Sequence, residues 1–205
     1  MTRNQRSRFA WLTLATVSCL AIAWLAPPSV RADDIETYLT GELVQLELLE
    51  KPVSLAKLQI IYPDGTERSL QEKSGKVLLV NLWARWCVPC KDEMKDFANL
   101  QRDLGDDRFE VVALPMKKRS IKSVRKILKA WEADNLEPYG NDPQTLARAL
   151  YDEGLFTERQ VQFVYPTTYV VNKSGEIIAI REGFLHWDTP EARALITALK
   201  DDELD

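Results

Sequence analysis

Lys76-Val77-Leu78-Leu79-Val80-Asn81-Leu82-Trp83-Ala84-Arg85-Trp86-Cys87-Val88-Pro89-Cys90 is the stretch on which the reading of this chain turns. Its first eight residues are a nearly continuous apolar run, the pattern of a strand buried on both faces. Cys87 follows closely. Residues 91–104 then set Met94, Phe97, Ala98, Leu100 and Leu104 at helical spacing, and Gly105 ends the helix. Phe109-Glu110-Val111-Val112-Ala113-Leu114 reads as a second buried strand. The result is a strand–helix–strand unit with two cysteines at the turn where strand becomes helix.

That position has chemical consequences. A helix start presents free N–H groups and the positive end of the helix dipole, and both stabilise a thiolate. Cys87 is therefore expected as the exposed attacker, and Cys90, one turn inward, as the resolving thiol. Pro89 suits the first turn, where its missing N–H is not needed. The alternatives for a Cys-x-x-Cys pair fit less well. A bridge over two residues constrains the unfolded chain little, so a purely structural disulfide is a poor account. A zinc site needs about four ligands, and the chain has a single histidine, His186, beside this pair. Haem attachment needs a histidine directly after the second cysteine, and Lys91 stands there. No metal and no cofactor beyond the Cys87–Cys90 disulfide is expected.

Working outward, residues 57–62 and 66–70 flank Pro63-Asp64-Gly65, a hairpin signal. Residues 121–131 and 144–151 read as helices, and 167–172 and 176–181 as strands around Lys173-Ser174-Gly175. Residues 190–199 close the chain as a helix with Pro190 at its start. Residues 34–50 are expected to form an N-terminal helix outside the basic unit. The short basic stretch Met116-Lys117-Lys118-Arg119 reads as a solvated helix start, and Glu93 as a charge on a helix surface. His186 is assigned a loop or packing role.

The N-terminus reads as a targeting segment. Arg3, Arg6 and Arg8 precede residues 9–26, which carry no charge; Pro27-Pro28 and then Val30-Arg31-Ala32 follow. This is the order of a secretory signal cut before Asp33. The apolar run is also long enough to span a bilayer, so an uncleaved anchor is the alternative. Its positive flank would keep the N-terminus inside and place the domain outside. Cys19 is read as a small apolar member of the run. The expected organisation is residues 1–32 as signal or anchor, 33–54 as a helical extension and 55–205 as one domain. Residues 1–32 hold four arginines and no acid, so the remainder is four charges more negative than the −4 of the whole chain. An acidic domain argues against nucleic acid as a partner.

Trp83-Ala84-Arg85-Trp86-Cys87-Val88-Pro89-Cys90 resembles the active site of the thioredoxin superfamily. Leu79-Val80-Asn81-Leu82-Trp83 before it, and Phe163-Val164-Tyr165-Pro166-Thr167-Thr168-Tyr169-Val170-Val171 beyond it, are similar to the TlpA/ResA branch of exported thiol–disulfide reductases. The resemblance covers residues 55–199. It implies an α/β thioredoxin-like fold, a central mixed sheet flanked by helices, with the N-terminal helix and hairpin as extensions. It also implies a cis peptide before Pro166, and a substrate-binding surface of Trp86, Pro89, Tyr165 and Pro166 beside the catalytic Cys87 and Cys90. Where many thioredoxins place a buried Asp, this chain has Asn81, which leaves the proton acceptor for Cys90 unassigned. A peroxidase of the same fold would need Thr where Ala84 stands.

Function expected from the resemblance is extracytoplasmic, or periplasmic, disulfide reduction. Electrons would come from a membrane thiol donor and pass to exported protein substrates, as in cytochrome c or cytochrome oxidase maturation. Val88-Pro89 supplies no histidine to stabilise a Cys87 thiolate, which favours a reductase over an oxidant. A disulfide oxidase or isomerase, and a non-enzymatic copper-binding or docking module, remain the alternatives.

Overall fold

The computed structural model describes residues 35–155, 164–201 and Leu204. Seven strands and four α-helices follow one another: β1 (Glu47–Ser54), β2 (Gln59–Ile61), β3 (Glu67–Ser69), β4 (Val77–Trp83), α1 (Val88–Leu104), β5 (Phe109–Pro115), α2 (Ile121–Ala130), α3 (Pro143–Asp152), β6 (Thr167–Val171), β7 (Glu176–Glu182) and α4 (Pro190–Lys200). The main sheet has the order β1-β7-β6-β4-β5. β4 and β5 run parallel from Val77↔Phe109 to Trp83↔Pro115, and the remaining pairings are antiparallel. β2 and β3 form the separate hairpin that the Pro63-Asp64-Gly65 turn predicts.

Every residue of β4 and of β5 is buried, which explains their unbroken apolar character. Because successive side chains of a strand face opposite ways, β4 serves two cores. Val77, Leu79 and Trp83 pack with α1, α2 and α4. Leu78, Val80 and Leu82 pack with the hairpin and α3. Asn81 shares the first of these faces. All four α-helix starts carry side-chain caps; in α2, α3 and α4 Ser120 accepts from the Ser123 amide, Asp142 from Gln144 and Thr189 from Ala192. Pro143 and Pro190 fill first-turn positions, as expected of Pro190.

The N-terminal helix expected over 34–50 is not formed. Residues 35–36 make a short turn, Gly41–Gln45 is a 3-10 helix, and Glu47–Ser54 is the edge strand β1. Leu39, Leu43 and Leu46 do have helical spacing, but Gly41 sits at φ 54°, where a right-handed helix cannot continue. β7 then offers a free row of backbone groups, and β1 pairs with it through Leu48↔Ala179 and Val53↔Ile177. The register shifts between those two pairs, around Pro52, which can donate no ladder hydrogen bond. Leu43 and Leu46 still reach the core. The expected signal or anchor, residues 1–32, lies outside the described residues. No helix among the described residues is long and apolar enough to cross a membrane.

At the end of β4 opposite the cysteines, Glu110 is held by Lys73 through both carboxylate oxygens at 2.8 Å and by Lys76 at 3.3 Å. The Tyr139 hydroxyl donates to the same carboxylate. Burial pushes the Glu110 carboxyl up, but Lys73, Tyr139 and Lys76 outweigh it and hold it below its ordinary value. This cluster ties the hairpin side of the fold to β5.

Candidate active site

β4 ends at Trp83, and the turn over residues 84–87 leads into α1. Cys87 is the N-cap of that helix. It is disulfide-bonded to Cys90, with Cα atoms 5.3 Å apart. The Cys90 amide donates to Cys87 Sγ at 3.2 Å. The first cysteine therefore receives a free N–H of the helix start in addition to the dipole field. Cys90 is fully buried, in keeping with its inward position. Cys87 is not exposed as the sequence suggests: it is only 4% accessible. The residues on either side, Trp86 and Val88, stand out instead at 73% and 70% exposure.

The cis peptide expected before Pro166 is present. Tyr165 lies edge-on to Trp86, ring centroids 5.6 Å apart at 89°. The structure thus joins Trp86, Cys87, Pro89 and Cys90, from one end of α1, with Tyr165 and Pro166, from the approach to β6. Val164 adds a further exposed apolar side chain there. Trp83 is core, stacked edge-on against Trp131 at 5.1 Å. His186 sits in the loop before α4, against the Phe184 ring and 3.5 Å from Asp96.

Glu93 overturns its reading as a surface charge. It is wholly buried. Asn81 Nδ2 donates to Glu93 Oε2 at 3.1 Å, and the Leu185 amide donates to Oε1 at 2.9 Å. Asn81 Nδ2 also donates to Thr168 Oγ1 at 2.9 Å, linking β4 to β6. Burial pushes the Glu93 carboxyl up to about 8, despite the hydrogen bonds from the Leu185 amide and Asn81 that favour the anion. A signal for this did exist. Glu93 stands three residues after Cys90 and four before Phe97, on the inward face of α1. This carboxyl, raised by burial, lies one helical turn along α1 from the buried Cys90.

The Redoxin family model matches residues 49–196. The chain is 31% identical over 121 residues to the Thioredoxin-like protein YneN of Bacillus subtilis, covering 58% of this chain and 64% of that protein. It is 26% identical over 194 residues to the thiol-disulfide oxidoreductase ResA of Oceanobacillus iheyensis, covering 92% and 88%. A crystal structure of a thiol:disulfide interchange protein of the thioredoxin family from Chlorobium tepidum superposes with a TM-score of 0.57. It shares 20% identity and covers 74% of this chain and 99% of its own, a likeness of fold. Sheet order, cis proline loop and a helix-capping Cys-x-x-Cys disulfide agree with these matches: the chain belongs to the Redoxin family, in a thioredoxin-like fold.

Proposed function

We propose that the protein is an extracytoplasmic thiol–disulfide oxidoreductase that reduces disulfides in exported proteins. The observation that carries this reading is the Cys87–Cys90 disulfide at the start of α1, set between the Trp86–Tyr165 pair and the buried Glu93. In the reduced protein, the Cys87 thiolate attacks one sulfur of a substrate disulfide. The substrate S–S bond breaks, a mixed disulfide with Cys87 forms, and the departing sulfur takes a proton. Glu93 receives the Cys90 proton. The Cys90 thiolate then attacks Cys87 Sγ, releasing the second substrate thiol and leaving Cys87–Cys90 oxidised. Two electrons have passed to the substrate. No group beyond the cysteine pair carries them, and a membrane thiol donor restores the dithiol.

Trp86, Pro89, Tyr165 and Pro166 form the surface that receives the substrate chain. Residues 9–26 supply export or anchoring. The direction of electron flow follows from the modest stabilisation of Cys87. Among the described residues one backbone N–H reaches its sulfur, and Val88-Pro89 adds no charge. ResA-type relatives, named as thiol-disulfide oxidoreductases, support the thiol–disulfide chemistry, and cytochrome c or cytochrome oxidase assembly is the setting we propose for it.

The reduction potential of the pair, measured on the full chain against dithiothreitol or glutathione, tests this. A value below about −220 mV supports a reductase. A value near the roughly −120 mV of the strong oxidant DsbA would overturn the direction and make the protein a disulfide donor.

A further inference from the structure

Many cations of the described chain are ion-paired: Lys73 and Lys76 with Glu110, Lys95 with Glu132, Arg108 with Asp201, Arg193 with Asp103 and Asp188. Others are not. Among the described residues, Arg85, Arg119 and Lys126 have no ion-pair partner. All three line one open groove of ≈330 Å³ together with Ser123, Ile127 and Trp131, and no acidic residue lines it.

The fold brings them there for identifiable reasons. Arg119, Ser123, Lys126 and Ile127 recur at helical spacing, so one face of α2 and its approach borders the groove. Arg85 belongs to the turn that leads into α1, two residues before Cys87, which ties one side of the groove to the cysteine-bearing segment. Trp131, packed edge-on against Trp83, makes an apolar floor with Ile127. Arg119, the last residue of the Met116–Arg119 stretch, thus has a destination that the bare sequence does not show. An unpaired cationic groove is unexpected in a chain of net charge −4, whose overall field steers cationic partners inward.

We propose that this groove binds an acidic segment of the partner protein, adjacent in its chain to the disulfide presented to Cys87. Arg85, Arg119 and Lys126 meet the carboxylates, and Ile127 and Trp131 receive the aliphatic part of the segment. Such complementary charge sets register and on-rate. This inference rests on the thiol–disulfide reading above.

The test uses the reduced full chain in detergent and three synthetic peptides. Each carries the same intramolecular disulfide, flanked by Asp and Glu, by Ser, or by Lys. Reduction of the acidic peptide is expected to be about 10-fold faster than that of the Lys peptide at low ionic strength. The preference should fade at about 0.5 M salt and invert in Arg119→Glu/Lys126→Glu. The readout is a ratio within each protein, so a change in overall rate does not imitate it. Arg119→Gln/Lys126→Gln and the wild-type salt series serve if charge reversal prevents folding. Equal rates for the three peptides, a preference for Lys, or an acidic preference kept intact by the variants would overturn the groove while leaving the thiol–disulfide reading standing. Failure of the wild-type protein to reduce any of the three would overturn that reading, and the groove with it.

Discussion

Asn81 on β4 donates a hydrogen bond to Glu93 on α1 across 3.1 Å of buried space. In this pair the strand provides the donor and the helix provides the acid. Substituting Asn81→Asp would put two carboxyls where one carboxyl and one amide now meet. Two such acids cannot both ionise, and the donated hydrogen bond is lost. The variant is expected to be less stable by roughly 3 kcal/mol at neutral pH, measured by denaturant unfolding of the oxidised protein.

Glu93 itself makes stability depend on pH. Its folded carboxyl titrates near 8, against an ordinary 4.5. The folded state therefore holds this proton more tightly than the unfolded chain, and the associated stability is fully present below pH 4.5 and lost as pH rises through 8. Glu93→Gln, which stays neutral, should gain stability relative to wild type across that window, by an amount on the order of 4 kcal/mol at its upper end. Unfolding of the two oxidised proteins at pH 5 and pH 8.5 measures it. A pH-independent difference would remove the basis for treating Glu93 as a proton acceptor.

The same substitution should slow resolution of the mixed disulfide by about 100-fold and flatten its rise with pH between 7 and 9. Stopped-flow fluorescence, with Trp86 beside the reacting sulfur, reads the rate. The cysteines should behave unequally: Cys90→Ser accumulates substrate bound to Cys87, and Cys87→Ser neither traps nor turns over substrate. Mass spectrometry under non-reducing conditions distinguishes them, and turnover by both single variants would refute the mechanism.

Trp86 is an exposed indole that contributes little to the core. Trp86→Ala should change unfolding free energy by less than about 0.5 kcal/mol. It should nevertheless lower kcat/KM on a protein disulfide about 10-fold, because a large aromatic at the centre of a contact surface carries much of the binding energy.

The opposite end of the sheet gives a purely structural prediction. Lys73→Met leaves the buried Glu110 carboxylate without its closest cation and should cost roughly 3–5 kcal/mol. Tyr139→Phe removes one hydrogen bond to that charge and should cost about 2 kcal/mol. Neither should move the reduction potential of the cysteine pair. Because Glu110 is held below its ordinary value, the stability this cluster provides is present above 4.5 and lost as pH falls through the lower folded value.

Much of the architecture was legible in the chain itself. The apolar run of β4, the cysteines directly after it and the amphipathic α1 are local patterns, and local patterns follow from strand and helix periodicity. So are the hairpin turn at Pro63-Asp64-Gly65 and the proline that opens α4. Two readings needed the third dimension. Residues 47–54 became a strand because β7, more than a hundred residues away, has an edge to be paired, and edge pairing outweighs a weak helical spacing broken by Gly41. Glu93 turned inward because Asn81 on another element and the Leu185 amide, at the far end of the chain, are there to receive it. The groove of Arg85, Arg119 and Lys126 is a third instance, assembled from a turn and a helix separated in sequence. Sequence alone determined that the two cysteines stand together at a helix start, because a buried strand and the helix that follows it are set by neighbouring residues. Only tertiary structure decided which buried acid and which cations surround them, because burial and charge pairing depend on residues brought together across the fold.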